Sequence, residues 1–200
     1  MNIPTLKYLD QFWSWLHCGR LPSSIMDLYP NMKEISESMA ACFKMKPYLD
    51  KISTLLVVGD GIKPRTGALF ALLHPHLTVH SIDPAMIDIN TYTNTCNNLH
   101  VYAYTIENFI IKYRHMLTSI TQGMGVVCVH CHADFDNYMP ELFSFLPNNI
   151  FKAIYALKCC RIYQSFTSKQ LQDYKLQLIE EDLDFNVYSP DRKYTIWQSI

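Results

Sequence analysis

LLVVGDGIKPRTGALFALL, residues 55–73, sets four apolar residues before Gly59-Asp60-Gly61, then Lys63-Pro64-Arg65, then a second apolar stretch. The β-branched and Leu run at 54–58 has the pattern of a strand buried on both faces of a parallel sheet. Residues 64–73 have helical spacing, with Pro64 in the first turn, where a missing N–H is tolerated. Between them, Gly59 and Gly61 allow a sharp turn and let a ligand lie against bare backbone. The helix that follows would offer its first N–H groups as a positive pole for a carboxylate or phosphate.

The same rhythm continues down the chain. Residues 77–82, 99–104, 125–129 and 150–157 read as strands, and 85–97, 106–117, 138–145 and 168–181 as helices, the last with Ser168 as its N-cap. Residues 185–189 and 192–198 read as two strands around Pro190-Asp191. Alternation of strand and helix implies parallel βαβ units with right-handed crossovers. The expected fold is therefore α/β: a mostly parallel, Rossmann-like sheet with helices on both faces and a C-terminal antiparallel hairpin. Upstream, Tyr8, Phe12, Trp15 and Leu16 share one face of a helix, and Ile35, Met39 and Phe43 mark a second that ends near Lys46-Pro47. This divides the chain into a helical extension, 1–50, and an α/β domain, 51–200. The extension is expected to pack as core, to cover the domain as a lid, or to meet a protein partner.

Bulk composition narrows the function classes. The 200 residues are 49% hydrophobic and 18% charged, with net charge −1, which suits one ordinary globular domain and supplies no basic field for nucleic acid. Seven cysteines, odd in number and irregular in spacing, read as reduced thiols of a cytosolic or nuclear protein. The vicinal Cys159-Cys160 reads as small buried hydrophobes. No apolar run is long enough to suggest a membrane span, and the N-terminus does not have the pattern of a signal peptide.

VVGDGIKPRTGALFALL followed by VHSIDP resembles the first two motifs of the class I S-adenosylmethionine-dependent methyltransferases, over roughly residues 53 to 200. A narrower resemblance is to a branch of that superfamily with a VGDGxxPRTxxLFA run, an HxHA segment and a late SPxRxxxxW. Residues 58–71, His130-Cys131-His132-Ala133, and Ser189 through Trp197 correspond. The resemblance implies S-adenosylmethionine as cofactor and methyl transfer to an acceptor it does not specify. Gly59, Asp60, Gly61, Lys63 and Arg65 would then form the cofactor loop. Asp83, closing the second strand about 20 residues beyond the glycines, would accept the ribose hydroxyls, and Glu107 would hold the adenine amine. Three departures point elsewhere. The family's acid two residues before the first glycine is Val57, its third loop glycine is Lys63, and two cations flank Pro64. Lys63 and Arg65 suit a carboxylate clamp or a phosphate-bearing nucleotide, and Arg65 could instead pair internally with Asp60 or Asp83. An inactive scaffold on the same fold is the remaining alternative.

Cys128-Val129-His130-Cys131-His132-Ala133-Asp134 ends the fourth strand. Alternation along an extended chain puts Cys128, His130 and His132 on one side and Cys131 on the other. The Asp- or Asn-Pro-Pro-aromatic segment common in amino-group methyltransferases is absent, as is a recognisable Lys-Asp-Lys-Glu set. His130 or His132 could serve as a general base. An HxH pair could also chelate a metal, or both residues could simply line a cleft.

Overall fold

A computed structural model describes residues 5–87, 96–158 and 166–200. Its seven-stranded sheet has the order β3-β2-β1-β4-β5-β7-β6. The strands are β1 (Thr54–Val58), β2 (Thr78–Ile82), β3 (Leu99–Tyr102), β4 (Gly123–Val129), β5 (Phe151–Leu157), β6 (Leu176–Leu183) and β7 (Lys193–Ser199). β1 to β5 pair in parallel, and β7 lies between β5 and β6, antiparallel to both. The mostly parallel α/β sheet and its closing antiparallel hairpin are thus present as expected.

The helices are α1 (Lys7–His17), α2 (Met32–Met45), α3 (Arg65–Leu73), α4 (Ile106–Lys112), α5 (Arg114–Thr118), α6 (Phe135–Phe145) and α7 (Ser168–Asp173). Strand alternation sorts them into two layers. Leu55 and Val57 of β1 join Phe12, Met39, Met45 and Phe70 on the side of α1, α2 and α3. Leu56 and Val58 join Phe109, Tyr138 and Leu142 on the side of α4 and α6. The N-terminal helices therefore belong to the same apolar layer as α3.

Several boundaries differ from the sequence reading. The helix expected over 106–117 is broken at Tyr113 into α4 and α5. The helix expected over 168–181 stops at Asp173, and residues 176–183 form β6. Thr167, not Ser168, caps α7, in a reciprocal capping box with Gln170. Residues 185–189 are not a strand. Asp184 turns the chain there by accepting from the Asn186 backbone and amide, and Val187 plugs into the core. Most of the helix expected over 85–97, and Cys159-Cys160, lie outside the described residues.

Candidate cofactor cleft

β1 and β4 are neighbours with crossovers leaving in opposite directions, and at such a switch point the carboxyl ends of the strands leave a crevice. A cavity of about 320 Å³ occupies it. Its walls are the ends of β1 (Val58, Gly59) and β2 (Ile82–Asp83), residues 104–107 after β3, and residues 131–133 after β4. This volume lies in the small-molecule range. Wall chemistry is mixed: Val58, Ile82 and Ile106 are apolar, while Asp83, Glu107 and His132 are polar. The Cys131 thiol, hydrogen-bonded with Cys128 and buried, has its pKa pushed up, so that wall is neutral.

Gly59 and Gly61 both have positive φ, 74° and 82°. The turn they make is held from across the sheet edge. Asp83 Oδ2 accepts from the Gly61 N–H at 2.9 Å, and Oδ1 accepts from the Ala85 N–H at 2.8 Å. A carboxylate oxygen has two lone pairs, so Asp83 shapes the loop and keeps acceptor capacity on the cavity side.

Four predicted site residues come together around this cavity: Gly59, Asp83, Glu107 and His132. The others do not line it, each for a physical reason. Asp60 is buried beneath α3, where its carboxylate accepts from Thr66 N–H (2.9 Å), Gly67 N–H (2.8 Å) and Ser81 Oγ (2.7 Å). The positive pole of α3 is thus filled by the chain's own anion instead of standing open to a ligand. Burial still pushes the Asp60 pKa up despite these bonds. Lys63 and Arg65 turn away to the N-terminal segment. Lys63 Nζ donates to the Asp27 carbonyl (2.6 Å), and Arg65 Nε to the Leu28 carbonyl (2.8 Å). The Arg65 ion pair is with Glu34, at 3.8 Å, and not with Asp60 or Asp83.

His130 also parts from His132. β4 ends at Val129, and His130 takes a left-handed φ of 49°, which breaks the strand alternation. Cys131 falls on the same side as Cys128, and His130 swings to the opposite layer. There it lines a second cavity of about 150 Å³, which shares Gly59 with the first. His130 Nε2 lies 2.7 Å from Glu37 Oε1 and 3.5 Å from Ser189 Oγ. Glu37, 1% exposed, also receives Lys33 at 3.1 Å. Sequence reasoning missed Glu37 altogether. The signal was Ser36-Glu37-Ser38, a polar run inside a stretch of α2, residues 35–42, that is buried on all sides. Among the described residues, no group of three or more His, Cys, Asp or Glu could hold a metal ion.

No family model and no curated protein matches the chain. Solved structures do. Fibrillarin of Aeropyrum pernix, in complex with natively bound S-adenosyl-L-methionine, superposes with a TM-score of 0.54 at 14% identity, over 82% of this chain and 76% of that one. A mutant of MtNAS in complex with S-adenosylmethionine gives 0.54 at 7% identity, over 94% and 75%. The fold is of the class I methyltransferase type. A third structure, the fibrillarin/Nop5p complex, scores 0.53 at 10% identity over 84% and 81%. At these identities the likeness covers the methyltransferase-like fold alone. Among the described residues no helix is long and apolar enough to cross a membrane.

Proposed function

We propose that the chain binds S-adenosylmethionine in the 320 Å³ cavity and transfers its methyl group to an acceptor entering beside Gly59. The cavity, at the sheet's switch point with Gly59 and Asp83 in its wall, carries this reading. Two of the solved neighbours hold that cofactor. Asp83 accepts the ribose hydroxyls, Glu107 the exocyclic amine, and Gly59 gives close access to backbone. The acceptor takes the smaller cavity. In this pose Nε2 of His130 donates to Glu37, which leaves Nδ1 as the basic nitrogen. The acceptor nucleophile attacks the methyl carbon in line, the sulfonium sulfur leaves with the bonding pair, and His130 Nδ1 takes the acceptor's proton. Glu37 then faces the imidazolium it has oriented. The protein's part is positioning and proton removal. His132 is the alternative base, on the cofactor side.

Thermal denaturation with ligand tests this directly. S-adenosylmethionine or S-adenosylhomocysteine at a hundred times its dissociation constant stabilises by about 2.7 kcal/mol, a midpoint rise of roughly 5–10 °C for a chain of this size. Asp83→Ala is expected to abolish the rise, and Arg65→Gln to keep it, because Arg65 lines the smaller cavity and not the cofactor cavity. No response to either ligand, or a response to nucleoside triphosphates that Arg65→Gln removes, would refute the assignment. The Lys33–Glu37–His130 cluster also suits a binding-only scaffold. A cofactor-dependent shift, without methyl transfer to any fraction of a cell extract, would favour that second reading.

A further inference from the structure

A third hollow lies at the opposite ends of the strands. There the amino end of β5, the carboxyl end of β7 and the turn before β6 surround a cavity of about 380 Å³. Asn148, Asn149, Lys152, Lys175 and Ser199 supply its polar lining, and among the described residues no carboxylate side chain does. Lys152 is only 6% exposed, near the Phe143 ring at 6.0 Å, and among the described residues no ion pair holds it. Charged side chains are seldom buried this far without a counter-ion. Burial, with the Lys175 charge adding to it, pushes the Lys152 ammonium pKa down. The Lys175 backbone has a φ of 52°, a left-handed conformation that glycine or asparagine adopts more easily. Lys175 is exposed, and it lines the same polar hollow as Lys152, so an anion in that hollow can neutralise both ammonium groups.

We propose that this hollow binds a small phosphate monoester, its dianion bridging Lys152 and Lys175 and its remaining oxygens received by the Asn148 and Asn149 amides. A dianion neutralises both ammonium groups at once. Lysine acts on phosphate as a point charge and needs no planar fork. The volume leaves room for a small organic group beside the phosphate. The site is independent of the cofactor cleft, which opens at the other ends of the strands.

Calorimetric titration of the full chain with inorganic phosphate and with ribose 5-phosphate tests the proposal. Neither probe has an adenine ring to engage the cleft, and succinate serves as a dicarboxylate control. Saturable binding is expected for both phosphates, with succinate weaker. Lys152→Met removes the charge at nearly constant length, and Lys175→Asn suits the left-handed backbone, so both variants should fold. Each is expected to weaken ribose 5-phosphate by at least about tenfold, while the response to S-adenosylhomocysteine is unchanged. Lys175→Asn should also unfold no earlier than the parent chain, which separates lost binding from lost structure. Absence of phosphate binding by the parent chain, or undiminished binding by both variants, overturns the proposal. Succinate binding as tight as phosphate overturns the assignment to phosphate.

Discussion

A methyl group at Gly59 has nowhere to go. A Cβ built there would lie 2.7 Å from Cys131 Sγ and 2.9 Å from Cys131 Cα, on a backbone with φ of 74°. The second contact is main chain, so a rotamer change cannot relieve it. At Gly61 the φ is similar, but the nearest atom is Arg65 Nη1 at 3.1 Å, the far end of a flexible side chain. Gly59→Ala is therefore expected to lose about 2–4 kcal/mol from strain and overpacking together, and to lose the cofactor response. Gly61→Ala should lose only about 1–2 kcal/mol, for the left-handed conformation. Urea denaturation of the two variants checks the ranking, and equal losses would mean that Cys131 moves aside. Single residues also show why only half the loop was legible in the sequence. Glycine needs no partner to announce a turn, so Gly59 and Gly61 could be read directly. Asp60, Lys63 and Arg65 have meanings set by what faces them: α3 and β2 for the acid, residues 27 and 28 for the cations. Most of those partners, Ser81 for the acid and residues 27 and 28 for the cations, are remote in sequence, and a charge beside a glycine loop suggests a ligand until they are seen.

At the scale of elements, legibility followed burial. β1 and β4 are buried along almost their whole length and carry unbroken apolar runs. β6 is an edge strand with Leu178, Ile179 and Leu183 exposed and a register shift between Leu178 and Glu180, so it has no clean alternation. Its boundary with α7 is the left-handed Lys175, where glycine would have marked the stop. β2 supplies an element-level prediction. His80 is 4% exposed and stacked near His100 and Tyr102, and burial, with His100 adding to it, lowers its pKa from 6.5 to about 4. The unfolded chain therefore takes up the proton first, and stability falls as pH drops from about 6.5 towards 4. The full loss is on the order of 3 kcal/mol. His74, lowered mainly by burial, adds to the same window. Asp60, raised by burial, has the opposite sign: the stability it contributes is present in acid and is lost as pH rises through its folded pKa. Comparing the parent with His80→Phe, which keeps a stacked ring, cancels the Asp60 and His74 contributions. The parent's urea midpoint should fall relative to that of His80→Phe as pH drops through this window. A constant difference would show that His80 is not buried neutral.

For the whole molecule, the question is whether residues 1–50 are an appendage or part of the domain. Hydrogen bonds tie them to α3, to the end of β4 and to the segment before β7: Ser36 Oγ accepts from the Tyr188 N–H (2.8 Å), and Ser38 bonds Thr66 (3.0 Å), Tyr8 bonds Asp184 (2.6 Å) and Glu37 bonds His130 (2.7 Å). Packing matters more. Phe12, Leu21, Met39, Met45 and Leu49 are at most 1% exposed, in one apolar cluster with Leu55, Val57 and Tyr155 of the sheet. At about 1.5–3 kcal/mol for each buried side chain, those from the extension alone contribute roughly 7–15 kcal/mol. That matches the entire net stability of a typical domain, about 5–15 kcal/mol. A chain starting at residue 52 would also uncover one face of the central strands, a large contiguous apolar patch of the kind that drives aggregation. Such a fragment is expected to be insoluble, or to bind hydrophobic dye without dispersed amide resonances, and adding the separate 1–51 peptide should partly restore dispersion. A soluble 52–200 fragment with a native-like spectrum and an intact S-adenosylhomocysteine response would show instead that α1 and α2 are a detachable cover. The 150 Å³ cavity would then lose Lys33, Glu34 and Glu37 from its lining in the fragment.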